Sequence, residues 1–251
     1  MVKMKFAVLL ATGLLASCVE AQNPTAVDAT IRKALEPRMG GAKIESIKET
    51  PYSGLYEVRI AGDVLYTDKK GEFLVIGQVY DVKSSRNLTR ERLDDINRVK
   101  FSDLPLDKAL KQVKGNGKRV IAVFEDPNCG YCKRLRQTTL KEIDNVTIYT
   151  FMYNILSEDS FVKSKNVWCA PDRNKAWDDW MLNGKLPPKA AASCETPNEE
   201  IAALGQKMRI TGTPAIFFSD GSRIPGAIDL KSLEAKFDAL DGKPAAAPAA
   251  K

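Results

Sequence analysis

Two cysteines separated by two residues, Cys129 and Cys132, are the part of this sequence best suited to chemistry. They follow the apolar run 120–124 and open a segment of helical composition, which predicts a buried strand, a turn and a helix. Unpaired backbone N–H groups and the dipole at a helix start stabilise a thiolate there, with a pKa of roughly 3.5 to 7.5. Cys129 is therefore the predicted nucleophile. The more enclosed Cys132 would resolve a mixed disulfide by attacking Cys129.

Half of a zinc site and an inert structural disulfide are the alternatives for this pair. A zinc site normally needs a second close pair of ligands, and the other cysteines, Cys18, Cys169 and Cys194, are isolated. The chain contains no histidine, which excludes Ser-His-Asp and Cys-His catalysis and any histidine metal site. Redox chemistry is therefore favoured, and we expect neither a metal nor another cofactor.

The N-terminal residues 1–21 have the layout of a bacterial export signal, with early lysines, an apolar run and small residues near a cleavage site. Cleavage after Ala21 is favoured, but the residues before Cys18 also resemble a lipoprotein box, which would leave Cys18 lipidated. Either event removes Cys18 from the disulfide count and leaves four cysteines, which allow three pairings. If Cys129 pairs with Cys132, then Cys169 and Cys194 are left for a second bridge, unless both stay as free buried thiols.

Composition and patterning predict an α+β protein with two domains. The formal net charge of +6 is moderate and has no basic stripe, so nucleic acid is not an expected partner. Residues 22–85 predict one helix (25–39) over short strands at 44–47, 56–60, 64–66 and 73–76, with a turn at 68–71. Such a thin layer exposes a face or an edge, which suits dimerisation. A domain that only docks on the neighbouring domain of its own chain would show the same pattern.

A polar, charged stretch at 86–105 predicts a solvated linker helix. In the second domain, 106–242, a strand (120–124), a helix (129 to about 141) and a strand (146–152) predict a βαβ unit with parallel strands. A helical segment at 161–181, a helix that starts in a capping box at Thr196, a strand at 213–218 and a closing helix from 230 follow. Residues 243–251 form a low-complexity tail that is predicted to be disordered.

Four features in this order make the chain resemble the periplasmic DsbC/DsbG thiol:disulfide isomerases, whose catalytic domain has a thioredoxin-like α/β fold. They are Cys129-Gly130-Tyr131-Cys132 after a strand, Thr211-Gly212-Thr213-Pro214 before a later strand, Cys169 and Cys194 between them, and an upstream β domain joined by a helix. Gly130 and Tyr131 are more similar to DsbC than to DsbG, which carries proline in place of the glycine. The resemblance covers nearly the whole chain after the signal, and it makes the helical segment 161–181 an insertion.

The resemblance also implies roles and partners. Cys129 would be the attacking thiolate and Cys132 the resolving thiol, while Thr213 and Pro214 would form a cis-proline loop that holds an unfolded substrate like an added strand. Cys169 and Cys194 match the structural disulfide of the family. The family further implies a V-shaped homodimer, misfolded exported proteins as substrates, and a DsbD-type membrane reductase that keeps the active pair reduced.

One departure from the broader thioredoxin pattern concerns the proton of Cys132. Thioredoxins carry a buried acid six residues before the first cysteine, and that position is Val123 here. Glu125 and Asp126 lie closer to the motif, but their place at a strand end predicts turn or cap residues, which leaves the proton acceptor unassigned. A solvated helix face accounts best for most of the basic residues after the motif, Lys133, Arg134 and Arg136, although they could also lower the pKa of Cys129.

The leading hypothesis is an exported, homodimeric, periplasmic disulfide isomerase with chaperone activity. A second is an oxidase or reductase dedicated to a single partner, for which the N-terminal domain would be superfluous. A third is a non-catalytic holdase chaperone, in which the exposed β domain binds unfolded chains and the cysteines only stabilise the fold as structural disulfides.

Overall fold

The computed structural model describes residues 26–52 and 54–242, and it divides the chain into two compact units. One unit ends at Gly77 and the other begins at Gln78. The predicted signal segment, Cys18 and the tail 243–251 lie outside the described residues. No helix in the described part is long and apolar enough to cross a membrane. Both units combine helices with sheets, so the predicted α+β class is confirmed.

The first unit consists of one helix packed on a three-stranded antiparallel sheet. Its elements are α1 (Ala26–Leu35), β1 (Ile44–Glu49), β2 (Tyr56–Ile60) and β3 (Asp63–Thr67), and the sheet order is β1-β2-β3. Ile31 and Leu35 stand four residues apart on α1, which places both on one helix face. They are buried against Val58 and Ile60 of the central strand. The core of this unit is therefore thin, and β3 is an edge strand.

The predicted strand at 73–76 is wrong except for a single bridge between Tyr66 and Val75. The side-chain hydroxyl of Thr67 donates to the carbonyl of Phe73 at 2.5 Å, which occupies the acceptor that a regular ladder would use. The turn before it does form, and Gly71 has a φ of +71° there. A side chain at Gly71 would also meet Ala34, because its Cβ would lie 2.8 Å from the Ala34 Cβ.

The predicted linker helix over 86–105 is shorter in the structure. A small hairpin, β4 (Tyr80–Asp81) and β5 (Arg86–Asn87), leads into α2 (Leu88–Ile96), whose N-cap Asn87 accepts a hydrogen bond from the Arg90 N–H. The helix ends because the Asn97 side chain caps the carbonyl of Leu93 and the following chain is extended. Val99 then donates to the carbonyl of Gly221 at 3.0 Å. The hairpin and α2 both belong to the second unit.

A five-stranded mixed sheet forms the centre of the second unit. Its strands are β6 (Leu110–Lys114), β7 (Arg119–Glu125), β8 (Val146–Met152), β9 (Ala215–Phe218) and β10 (Arg223–Pro225), in the order β10-β9-β7-β8-β6. As the βαβ pattern predicts, β7 and β8 are parallel; the other pairs are antiparallel. No strand is predicted from the sequence at β6, because an edge strand with two lysines and a glutamine lacks the apolar signal of a buried strand.

Helices cover both faces of this sheet. They are α3 (Gly130–Leu135), extended by a π-helical turn at Arg136–Leu140, α4 (Glu158–Trp168), α5 (Arg173–Asn183), α6 (Asn198–Lys207) and α7 (Leu230–Leu240). Side chains of β7 alternate between the faces, with Ile121 and Val123 packing beside Leu135 and Phe124 packing on the opposite side. Helix α6 begins two residues after Thr196 without a side-chain cap, so the predicted capping box is wrong.

Candidate active site

The two cysteines of the motif lie at the start of α3, directly after the central strand β7. Cys129 is the N-cap residue of α3, and its Sγ accepts a hydrogen bond from the Cys132 N–H at 3.3 Å. Cys129 is 5% exposed and Cys132 is completely buried, and both are free thiols. Gly130 is exposed, and Tyr131 is 67% exposed beside them. The arrangement therefore leaves a small exposed area on Cys129 and hides Cys132 completely, one turn further into the helix.

The environment shifts the pKa values of the two thiols in opposite directions. The hydrogen bond from the Cys132 side chain is the largest of the effects that lower the pKa of Cys129 to about 6; the Thr213 side chain and the backbone N–H groups of Cys132 and Tyr131 add to it, and burial opposes it. Burial is the main cause of the raised pKa of Cys132, followed by its hydrogen bond to Cys129 and the charge of Glu125. At neutral pH the outer sulfur is thus a thiolate and the inner one a thiol.

Thr213 and Pro214 face this pair from the loop that precedes the neighbouring strand β9. Because β9 runs antiparallel to β7, with Ala215 opposite Phe124, the loop before β9 lies at the end of β7 where the motif begins. The Thr213–Pro214 peptide bond is cis, and the Thr213 carbonyl oxygen lies 3.3 Å from the Cys129 Sγ, from which it accepts a hydrogen bond when that sulfur is protonated. The buried Thr213 hydroxyl forms no hydrogen bond within the described residues, so its effect on the pKa of Cys129 requires the hydroxyl to turn towards the Cys129 thiolate and donate to it.

Asp126 holds the turn between β7 and α3, as its place at the strand end predicts. Its Oδ1 accepts hydrogen bonds from the Asn128 N–H and the Ser160 hydroxyl, both at 2.8 Å. Its Oδ2 accepts from the N–H groups of Ile155 and Leu156 at 2.9 and 3.0 Å. A single buried carboxylate therefore ties the motif turn to the segment that leads into α4.

Glu125, by contrast, is not a turn residue, and Arg136 does not lie on a solvated helix face. Glu125 is 0% exposed and Arg136 is 4% exposed. The Arg136 guanidinium donates to Glu125 Oε2 from Nε at 2.9 Å and from Nη2 at 2.6 Å. Burial raises the pKa of the Glu125 carboxyl, while Arg136 opposes that shift. One signal could have found Arg136: it follows Cys132 by four residues, which puts it on the same buried side of the helix.

The other two basic residues after the motif have different surroundings. The ammonium group of Lys133 lies 4.1 Å from the centre of the Trp180 ring, in a cation–π contact. Trp180 in turn donates from Nε1 to the Pro127 carbonyl at 2.6 Å, next to the motif. Arg134 is exposed. Of the three basic residues, only Arg136 belongs to the buried charge network.

Cys169 and Cys194 form a disulfide outside the thiol site. Their Cα atoms are 6.3 Å apart, and the bridge spans 25 positions of the chain from the end of α4 to the loop before α6. The described residues contain no group of three or more cysteine, aspartate or glutamate residues that could hold a metal ion. The structure thus separates a bonded cysteine pair from a free pair that is set up for exchange.

An open groove lies next to the cysteine motif. Its volume is about 630 Å³, and its lining includes both polar and apolar residues, among them Tyr131, Arg134, Thr213, Ile228 and Leu230. Cys129 itself does not line the groove, but Tyr131 belongs to the same motif, and the Thr213 carbonyl lies 3.3 Å from the Cys129 sulfur. The groove therefore ends close to the less buried of the two thiols.

Comparison with known proteins identifies both parts of the chain. A family model for a disulfide bond isomerase protein N-terminal domain matches residues 22–90, and one for a thioredoxin-like domain matches residues 106–241. Among solved structures, the disulfide interchange protein from Neisseria gonorrhoeae is 39% identical, with a TM-score of 0.51 over 56% of this chain and 100% of that chain. The fold class expected from the motifs, including its thioredoxin-like domain, is confirmed.

Named relatives match over most of their length. A probable thiol:disulfide interchange protein DsbC from Bordetella avium is 50% identical over 216 residues, which make up 86% of this chain and 76% of that protein. The thiol:disulfide interchange protein DsbC from Escherichia coli is 32% identical over 204 residues, 79% of this chain and 82% of that protein. The chain therefore belongs to the DsbC family of thiol:disulfide interchange proteins and is an enzyme of the thiol:disulfide isomerase or oxidoreductase class.

Proposed function

We propose that this protein is a periplasmic disulfide isomerase, with chaperone activity, that rearranges or reduces non-native disulfides in exported proteins. The observation that carries the proposal is the contrast between two neighbouring free thiols: Cys129 lies at the N-cap of α3 and has a pKa lowered to about 6, whereas Cys132 is completely buried and has a raised pKa. An isomerase needs a strong nucleophile that stays bonded to its substrate long enough for a second substrate thiol to react. A resolving thiol that keeps its proton supplies that delay.

The reaction begins when the Cys129 thiolate attacks one sulfur of a wrong disulfide. A Cys129–substrate bond forms, the substrate S–S bond breaks, and the electron pair leaves on the second substrate sulfur, which takes a proton from solvent. A different substrate thiolate can then attack the mixed disulfide, which forms the new substrate bond and returns Cys129 as a thiolate. No net oxidation or reduction occurs in this isomerisation.

Reduction is the second outcome. Cys132 loses its proton and attacks Cys129, so the Cys129–Cys132 bond forms and the substrate leaves with both of its sulfurs reduced. The enzyme is then oxidised by two electrons. A membrane reductase of the DsbD type, which would return those electrons, is therefore part of the proposal.

Substrate would bind along the loop at Thr213 and Pro214. The position of the Thr213 carbonyl 3.3 Å from the Cys129 sulfur supports this, because a strand paired with the loop would bring its cysteine to the nucleophile. The mixed lining of the neighbouring groove suits unfolded chains of varied sequence. Catalysis would then use the free thiols Cys129 and Cys132. The disulfide between Cys169 and Cys194 would support the structure.

We further propose that the first unit forms a homodimer through its exposed segment 73–76. Phe73, Val75 and Ile76 are 48%, 41% and 79% exposed, although all three are large and apolar. They lie beside the edge strand β3, where the backbone pairing seen in the described part of the chain is a single bridge between Tyr66 and Val75. An exposed apolar edge of this kind favours pairing with a second chain.

The test is reactivation of a scrambled multi-disulfide protein in a glutathione buffer. The wild type should restore activity, and Cys129→Ser should abolish it. Ile76→Lys should run as a monomer in light scattering and lose reactivation while still reducing a small disulfide. The matched control is Val113→Lys, at a residue of edge strand β6 that is 56% exposed and lies in the second unit; it should behave as the wild type.

Other outcomes assign the other functions. A wild type that exchanges disulfides with small compounds but never reactivates the scrambled protein would be an oxidase or reductase with a dedicated partner. Full protection of unfolded chains by Cys129→Ser, without any disulfide activity in the wild type, would identify a holdase. A dimeric Ile76→Lys variant would contradict the proposed dimer surface.

A further inference from the structure

The Glu125 carboxylate has one oxygen that is paired and one that is not. Oε2 accepts both hydrogen bonds from Arg136, whereas Oε1 is buried and has no hydrogen-bond partner among the described residues. An acceptor left unpaired inside a protein costs free energy, so such an atom calls for an explanation.

The fold places that carboxylate on the same side of α3 as Cys132. Along β7, Glu125 points to the face of Val123 and Ile121, which pack beside Leu135 of α3. Arg136, which holds Glu125, follows Cys132 by one helical turn and shares its buried side. The negative charge of Glu125 accordingly acts on Cys132, and that of Cys129 acts on Glu125.

The Arg136 side chain is itself fixed on three further sides. It donates to the Thr150 hydroxyl at 2.5 Å and to Gln112 Oε1 at 3.3 Å, and it pairs with Asp178 at 3.4 Å. Gln112 also donates to Asp178 at 2.6 Å. The guanidinium therefore cannot turn to cover the second oxygen of Glu125 without breaking these bonds.

We propose that Glu125 accepts the proton of Cys132 when Cys132 resolves the mixed disulfide, and that Arg136 is the positioning residue that keeps Oε1 free for it. The inference rests on the thiol exchange of the proposed function, but not on isomerase activity or on the dimer. It assigns a proton acceptor in a site where the position six residues before the first cysteine is valine.

Glu125 Oε1 and Cys132 Sγ form no direct hydrogen bond in the structure, so the proton of Cys132 passes to Glu125 Oε1 through a water molecule or after a side-chain rotation. The resulting thiolate attacks Cys129 Sγ. The Cys129–Cys132 bond forms, the bond between Cys129 and the substrate breaks, and its electron pair leaves on the substrate sulfur. The proton on Glu125 then passes to that sulfur or to solvent. The cysteine pair is oxidised and the substrate disulfide is reduced by the same two electrons.

The charge on Cys129 makes the ionisation of Glu125 depend on whether Cys129 is a free thiolate or part of a mixed disulfide. The charged or titratable groups that act on Glu125 are Arg136, Asp178, Cys129 and Cys132. In the reduced enzyme the Cys129 thiolate adds to the burial that raises the pKa of Glu125. A mixed disulfide removes that negative charge, so Glu125 ionises more readily at the moment when Cys132 must be deprotonated.

The experiment follows the reaction of excess reduced protein with a symmetrical aromatic disulfide whose released thiolate is coloured. The first release reports attack by Cys129, and the second reports resolution by Cys132. Glu125→Gln should slow the second release at neutral pH on the order of a hundredfold, as expected for loss of a general base. It should change the first release by no more than about twofold. The second release of the variant should then rise about tenfold per pH unit, since hydroxide must remove the proton.

The control is Glu57→Gln, the same substitution at a glutamate of β2 that is 9% exposed and lies in the other unit; it should leave both releases unchanged. A second release in Glu125→Gln within about threefold of the wild type would overturn the inference. If that variant does not fold, the wild type decides, because a second release that rises tenfold per pH unit in the intact enzyme would also overturn it. Absence of the first release in the wild type would contradict the proposed function instead.

Discussion

Replacing Cys132 by alanine tests the cause of the acidic thiol at Cys129. The largest contribution to its low pKa is the hydrogen bond from the Cys132 side chain, and alanine removes that donor while keeping the backbone N–H. A hydrogen bond to a charged group contributes about 1.5 to 3 kcal/mol, and one pKa unit corresponds to about 1.4 kcal/mol. The pKa of Cys129 should therefore rise by roughly one to two units, from about 6 to about 7 to 8.

Titration of the ultraviolet absorbance of the thiolate measures this shift directly. At pH 6 the ionised fraction of Cys129 should fall from about one half to roughly 1 to 10%. Cys132 does not interfere in the wild type, because its raised pKa keeps it protonated over this range. Cys132→Ser is the matched control, since the serine hydroxyl can still donate a hydrogen bond. The pKa of Cys129 in this variant should lie between its values in the wild type and in the alanine variant.

One result would refute this reasoning. If Cys129 in the Cys132→Ala variant titrates within about 0.3 units of the wild type, a side-chain hydrogen bond of the expected strength is absent. The backbone N–H groups at the helix start and the Thr213 side chain would then account for the low pKa by themselves.

Two further predictions concern stability. Arg136→Met leaves the buried Glu125 carboxylate without its partner and should lower the free energy of unfolding, measured in urea, by about 3 to 5 kcal/mol. Adding Glu125→Gln should restore part of that free energy. An unchanged free energy of unfolding in the single variant would contradict the buried pair. Replacing Cys169 and Cys194 together by alanine should lower the free energy of unfolding by about 3.5 kcal/mol, because the bridge closes a loop that spans 25 positions. The Cys129 titration should stay unchanged in this variant, and a shift would mean that the bridge also shapes the thiol site.

Local patterns in the sequence were sufficient to predict much of the secondary structure of the second unit. The buried run before Cys129 and the helical segment after it predict a strand, a turn and a helix, because each depends only on neighbours within a few residues. The parallel pairing of β7 and β8 follows from the crossover length. Motif order then pointed to the family, which the comparisons confirm, and the pairing of Thr213 and Pro214 with the motif came from that resemblance rather than from any local pattern.

Errors occurred where a residue's state depends on elements far away in the chain. The segment 73–76 has the composition of a strand, but its backbone pairing with β3 is confined to Val75, which forms a single bridge with Tyr66. Edge strand β6 has the composition of a loop, yet β8 pairs with it along its whole length. Strand pairing is a property of two segments, so the composition of one segment cannot decide it.

The clearest division between sequence and structure lies in the charges around Cys132. By itself the sequence predicted the cysteine pair as the site of chemistry, its place at a helix start and a lowered pKa of Cys129, since these follow from covalent spacing and helix geometry. Only the tertiary structure decided that Glu125 and Arg136 are buried together while Asp126 serves the turn. Adjacent acidic residues look alike in sequence, and their roles separate only when the alternation of β7 directs one of them towards the helix that carries Cys132.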